Sequence, residues 1–291
     1  ILKERHLNQF SHFIYYMKGL MNIGNTCYLN SAIQMILNIE DLCSLIINNA
    51  HMSNKLNIIA EFINQYNNPN SNQVINPVKI KELVGNRENI FGGYGQNDSS
   101  EFMIFLFDII NEEFDKNNAF NCNTIIGIKT AINIKCKLVK CLATSEHFET
   151  DMFLYLPITS SLTESYRQYK TNEKLFGDNK YFCEKCNKKT IARKRTETTV
   201  WPNNLIIVLK RFDNRLKKNN KEINIPLYWR HNYRLQGGII HLGDLRGGHY
   251  YYFGMRDSRW YVFNDSNISL VQSEDELNSL TKKAYVLNYK K

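Results

Sequence analysis

The chain has 291 residues, of which 43% are hydrophobic and 22% charged, with a formal net charge of +9 and seven cysteines. That length can bury a substantial core, as one large domain or two closely joined subdomains; no apolar run approaches a bilayer span, and the opening ILKERHLNQFSHFIYYMKGL lacks a signal-peptide pattern. Seven cysteines without a secretory signal point to a reducing compartment, cytosol or nucleus, and Lys and Arg scattered without a long basic run argue against nucleic acid as the main partner.

Residues 1–18 form a lead-in, and because the chain starts at Ile1 rather than Met it is read as a piece of a longer protein. From about 19 to 123 apolar positions recur at helical spacing in EFINQY, VKIKELV and EFMIFLFDIINEEF. From about residue 124 the period changes to two, as in TAINIKCKLVKC and FETDMFLYLPI, with a helical interlude at SLTESYRQYK. The runs TETTVWP, NLIIVLKRF, YRLQGGIIHL, HYYYFGMR, RWYVFND and AYVLNYKK then predict sheet to the end. The expected class is α+β, a helical half facing a sheet half across a cleft. The loop NQYNNPNSNQ is a solvated connection and says nothing about chemistry.

Cys27 stands in GLMNIGNTCYLNSAIQMI, where a loop with two glycines delivers it to the first turn of a segment with Leu29, Ile33, Ile36 and Leu37 at helical spacing. Unpaired N–H groups and the positive end of the helix dipole would favour a thiolate there, which is the reading of a nucleophile rather than of a small buried hydrophobe. Far downstream, GGHYYYFGMRDSRWYVFNDSN supplies His249 at the start of a strand and the pair Asn264-Asp265 after a second strand, completing a Cys-His-Asn/Asp set. His241 is the competing histidine and reads as an edge position.

These two segments, with YGQNDSSEFMIFLFDII, LIIVLKRF and YRLQGGIIHLGDLRGGHY between them in order, resemble the cysteine and histidine boxes of the ubiquitin-specific protease family of deubiquitinases, from about Gly19 to Tyr289. The resemblance implies a papain-like fold of thumb, palm and fingers over 19–291, with the thumb at about 19–123, the fingers with part of the palm at about 124–200 and the palm at about 201–291. It implies a thiol isopeptidase cutting after the C-terminal Gly-Gly of ubiquitin, with ubiquitin and its conjugates as partners and no cofactor in the chemistry; the oligomeric state is left open, with a monomer as the expectation. A catalytically silent ubiquitin-binding scaffold, or a protease for another ubiquitin-like modifier, would share the fold.

By the same resemblance Cys27 attacks, His249 activates it, Asn264 orients the imidazole with Asp265 beside it, and Asn22 donates to the oxyanion, unless Asn22 only stabilises its turn. Asp98 and Glu101 are spaced as a capping box and, in the family, the matching acidic segment faces ubiquitin's arginine-bearing tail; Gly248 and Tyr250 belong with them as substrate-binding positions.

Cys183 and Cys186, with two residues between them, form a knuckle-like pair, with Cys136 and Cys141 as the other half of a four-thiolate structural zinc site. The family has two residues between the first pair; here there are four, with Leu138 where the first cysteine would fall, and His147 as a substitute ligand. Redox chemistry at the CxxC is the alternative, Cys43 and Cys122 read as packing residues, and Leu245-Arg246-Gly247-Gly248, which copies the end of ubiquitin's tail, reads as a loop.

Overall fold

The structure, a computed structural model, describes residues 17–117, 121–212, 217–244 and 247–291. Most of the 1–18 lead-in and the Leu245-Arg246 part of the tail-like tetrapeptide lie outside the described residues.

The helical half runs from Cys27 to Ile126 and is organised around the helix Cys27–Leu37, every residue of which is buried. A helix enclosed on all sides must satisfy its polar side chains internally. Gln34 does so on the Lys18 carbonyl and the Tyr66 hydroxyl, whereas Asn30 donates through Nδ2 to Asp265 and the carbonyls of Leu20 and Met21 and leaves its buried Oδ1 without a partner among the described residues. One side of this helix packs on the helix Ser99–Lys116 and another on the strand Gly248–Arg256. Helices Glu40–Asn48, Asn54–Asn67 and Val78–Gly85 close the outer layer, and Ser53 caps the second of them by accepting from Leu56 N–H.

The sheet half is an eight-stranded sheet with the order Asn267–Leu270, Arg259–Asn264, Gly248–Arg256, Tyr233–Gly243, Ala284–Lys290, Asn204–Leu209 and Phe153–Leu156, with Tyr228–Trp229 paired beside the fourth. Among the described residues of this sheet, the Asn204–Leu209 and Phe153–Leu156 pairing is parallel and the others are antiparallel. NLIIVL reads as a continuous apolar run because both faces are covered: Ile206 and Val208 enter the core shared with the helix Cys27–Leu37, while Leu205, Ile207 and Leu209 face Leu162, Tyr166 and Leu277. Burying each such side chain stabilises by about 1.5–3 kcal/mol, so the strand is held by both layers.

A separate four-stranded sheet has the order Thr144–Asp151, Ile128–Cys136, Ala192–Val200 and Glu173–Leu175, and carries the two-stranded hairpin Tyr181–Cys183 and Lys188–Thr190 at its end. Sequence periodicity did not reveal the short strands of that hairpin or the helix Glu274–Lys283, which carries few apolar residues; Ser273 caps it. His241, expected at an edge, is instead 5% exposed, its ring between Tyr250 and Phe212, because its strand runs through the middle of the large sheet.

Candidate active site

The loop before Cys27 is shaped by two consecutive left-handed residues, Gly24 at φ +103 and Asn25 at φ 51. A Cβ at Gly24 would stand 2.6 Å from the Tyr94 ring, so glycine is required both for the backbone angle and for that close approach. Inside the loop Asn22 Oδ1 accepts from the N–H groups of Gly24 and Thr26 at 3.2 and 3.1 Å, while its Nδ2 donates to Asp265 Oδ2 at 2.9 Å. The amide thus stabilises the turn with its oxygen and keeps the second hydrogen of Nδ2 available for another acceptor.

Cys27 opens its helix and is 3% exposed. Its thiol is pushed up, foremost by burial and also by the Asp265 carboxylate, against the pull of the N–H groups of Tyr250, Tyr28 and Cys27 itself. The helix terminus therefore does supply donors, as its position suggested, but burial outweighs them and the free thiol is held protonated. The Tyr250 N–H at the sulfur fixes the geometry of the second half of the site, since His249 is the preceding residue on the same strand.

His249 Nε2 lies 2.6 Å from Asn264 Oδ1. An amide oxygen only accepts, so Nε2 carries the proton and Nδ1 is left as the basic nitrogen. Asp265 does not join this pair. With φ 50, its backbone turns the carboxylate the other way, onto Asn22 and, through Oδ1 at 2.8 Å, onto Asn30, and its carbonyl accepts from Leu20 N–H.

Asp98 caps the helix Ser99–Lys116: Oδ1 accepts from the N–H groups of Ser100 and Glu101 at 2.8 and 3.1 Å, and Oδ2 accepts from the Tyr250 hydroxyl at 3.1 Å. Tyr250 was expected at the substrate surface, but its ring is buried and its hydroxyl is spent on Asp98, because its strand face packs on the helical half. Gly248 N–H donates to Gln96 Oε1 at 2.7 Å, and Glu101 stays exposed, its carboxyl raised by partial burial and by Asp98. Gln96 and Asn30 were not singled out in the sequence, though a lone asparagine inside an otherwise apolar helical stripe was a readable signal for the second.

The four cysteines of the smaller sheet come together, their sulfurs all within 4.8 Å of one another, with Cys136 and Cys186 at 4.0 Å and Cys141 and Cys183 at 3.7 Å. Zinc bonded to four thiolates at about 2.3 Å would set its sulfurs about 3.8 Å apart, so the donor set fits a closed tetrahedral zinc. The wider first spacing is absorbed by a turn in which Cys141 and Leu142 N–H both return to the Leu138 carbonyl, with Leu142 at φ 47. His147 is not part of the cluster; it pairs across from Ile132 and sits 3.5 Å from Glu149. Cys43 and Cys122 are buried, and burial pushes the Cys43 thiol up to about 12.

The profile of the family described as ubiquitin carboxyl-terminal hydrolase matches residues 18–289. Among curated proteins, the chain is 25% identical to ubiquitin carboxyl-terminal hydrolase 4 of Vanderwaltozyma polyspora, covering 98% of this chain and 42% of that protein. It is 25% identical to ubiquitin carboxyl-terminal hydrolase 5 of Saccharomyces cerevisiae (94% and 44%) and 29% identical to ubiquitin carboxyl-terminal hydrolase 16 of Arabidopsis thaliana (93% and 30%). The chain thus spans less than half the length of these relatives. Among solved structures, the SAGA DUB module Ubp8/Sgf11/Sus1/Sgf73 bound to monoubiquitin is similar in fold, with a TM-score of 0.77 and 24% identity over 94% of this chain and 68% of that one.

Proposed function

This chain belongs to the ubiquitin carboxyl-terminal hydrolase family, and on that premise we propose that it is a thiol isopeptidase that hydrolyses the bond after the C-terminal Gly-Gly of ubiquitin on conjugated proteins or polyubiquitin. The observation that carries this reading is the meeting of Cys27, at a helix start, with the strand of His249, whose ring is held by Asn264.

In this mechanism Nδ1 of His249 takes the Cys27 proton as the sulfur attacks the terminal glycine carbonyl. Asn264 holds the ring and its tautomer through Nε2–H, as a neutral orienter. The remaining Nδ2 hydrogen of Asn22 and backbone N–H at the helix start stabilise the oxyanion, and Asp265 positions Asn22 rather than the histidine. The imidazolium then protonates the departing lysine amine, and water, deprotonated by the same imidazole, releases the acyl group. In this reading Asp98 and Glu101 would meet the cationic tail, Asp98 in addition to its role as a cap. A zinc ion held by Cys136, Cys141, Cys183 and Cys186 would serve structure only, fixing the tip of the smaller sheet. Free thiols suit a working place in cytosol or nucleus.

The test is ubiquitin carrying a thiol-reactive C-terminal electrophile, incubated with wild type and Cys27→Ala beside the same probe on other ubiquitin-like modifiers, and read by intact mass. One adduct with ubiquitin, lost in the variant, is the expected result. Binding of ubiquitin without an adduct would overturn the enzymatic reading in favour of a scaffold, and preference for another modifier would change the substrate.

A further inference from the structure

Positive charge that is scattered along the sequence is gathered by the fold. Residues 135–141 and 173–195 hold eleven of the 37 Lys and Arg but three of the 28 Asp and Glu, so eight of the nine net charges fall in these two segments. Strand pairing and the four-cysteine cluster join the two segments at one end of the smaller sheet.

Within that end, Lys174 pairs with Arg193 and Arg193 with Lys135, so three cations stand side by side on one face across three neighbouring strands, in a row about 10 Å long. All three are exposed. Among the described residues no carboxylate lies within 4 Å of any of them. Like charges directly opposite one another destabilise a sheet, so this row costs stability, offset only at Lys174, whose Nζ stands 5.6 Å from the exposed Phe176 ring. The hairpin Tyr181–Thr190 does not cover it, because Tyr181 is bonded to Ser145, whose side chain lies on the opposite face. The hairpin adds Lys185, Lys188 and Lys189, all exposed.

Exposed apolar side chains adjoin these cations: Val139 at 86% and Leu142 at 55% in the cysteine turn, and Phe182 at 52% in the hairpin. Val139 and Leu142 are aliphatic and offer no face on which a base could stack, and nine of the eleven cations are lysines, point charges lacking arginine's bidentate fork for phosphate. A carboxylate-bearing protein segment that also carries apolar residues complements both features.

We propose that the tip of the smaller sheet docks an acidic, apolar-containing segment of a partner protein, at a surface separate from the cleft of Cys27. This inference goes beyond the isopeptidase reading and does not depend on it. The full chain with Cys27→Ala is titrated, by fluorescence anisotropy, into a labelled peptide of Asp-Glu pairs interspersed with Leu, into its Asn-Gln counterpart, and into a single-stranded oligonucleotide. The expected result is preference for the acidic peptide, weakening with salt, and a loss of about tenfold or more in the triple variant K135Q/K174Q/R193Q. The same variant unfolds at a higher temperature than its parent, because the repulsive row is gone. Val139→Ser with Leu142→Ser weakens the peptide without changing the salt dependence. In the otherwise wild-type enzyme, the triple change leaves cleavage of ubiquitin bearing a small C-terminal fluorophore unaltered. Tighter binding of the oligonucleotide, no difference between acidic and neutral peptides, or a parallel fall in ubiquitin cleavage would each overturn the proposal.

Discussion

Asp265 Oδ2 accepts from Asn22 Nδ2 at 2.9 Å, joining the loop that leads into Cys27 to the turn that follows Asn264. The same carboxylate raises the Cys27 thiol. Its removal therefore acts in two opposite directions. Asp265→Asn exposes more thiolate at a given pH, so alkylation of Cys27 by iodoacetamide quickens, while turnover falls by about tenfold to a hundredfold because the oxyanion donor loses its anchor. Measuring both on one preparation separates a positioning role from a general base: slower alkylation together with slower turnover would contradict it.

Asn264 and Asp265 are neighbours, so their roles separate by variant. Asn264→Ala frees the His249 ring and lowers kcat with little change in KM, whereas Asn264→Asp keeps an acceptor at Nε2 and restores most of the rate. A variant pair with equal losses would mean that Asn264 is a structural residue of its turn.

His241 predicts an acid limit to stability. Burial and Lys218 lower it to about 4 in the folded chain, while an unfolded histidine titrates near 6.5. A group depressed on folding gives stability that is complete above the unfolded value and is lost as pH falls from about 6.5 towards 4, here by about 2–3 kcal/mol. Urea midpoints at pH 7 and pH 4.5 should converge for His241→Gln relative to wild type.

Gly24 is the most exacting position of the loop. Gly24→Ala meets both an unfavourable φ and the Tyr94 ring, and is expected to cost about 1–2 kcal/mol and to reduce turnover. Adding Tyr94→Ala removes the collision but not the backbone strain, so thermal unfolding of the double variant should recover only in part.

For the cysteine cluster, elemental analysis should return one zinc per chain, lost in Cys183→Ser. Hydrogen exchange should then quicken over residues 181–190, which pack through the cluster, while the core strand Asn204–Leu209 keeps its protection.

How far the sequence spoke depended on how local each signal was. The Cys27 helix was readable from apolar spacing behind a glycine-bearing loop, and the helix beginning at Ser99 from apolar spacing with the capping residue Asp98 just ahead of it. The strand NLIIVL was readable as sheet, though its two-sided burial was not, since alternation is erased when both faces are covered. The geometry of the site was less legible. Nothing in NDSN distinguishes a residue turned towards His249 from one turned towards Asn22; the positive φ at Asp265 decides it. Nor does position reveal that burial would outweigh a helix terminus at Cys27. The row Lys174, Arg193 and Lys135 depends on strand register, which no linear inspection of scattered lysines supplies.

The pairing of Asn22 with Asp265 across 243 positions also orders events in time. At cellular synthesis rates of about 5–20 residues per second, the cysteine leaves the ribosome roughly 10–50 s before the turn that anchors its loop and the asparagine that holds its histidine. During that interval the growing chain has a thiol with neither base nor oxyanion donor in place. The site is therefore complete only once the chain has emerged past Asp265, and on the isopeptidase reading a product terminated before that turn would be inert.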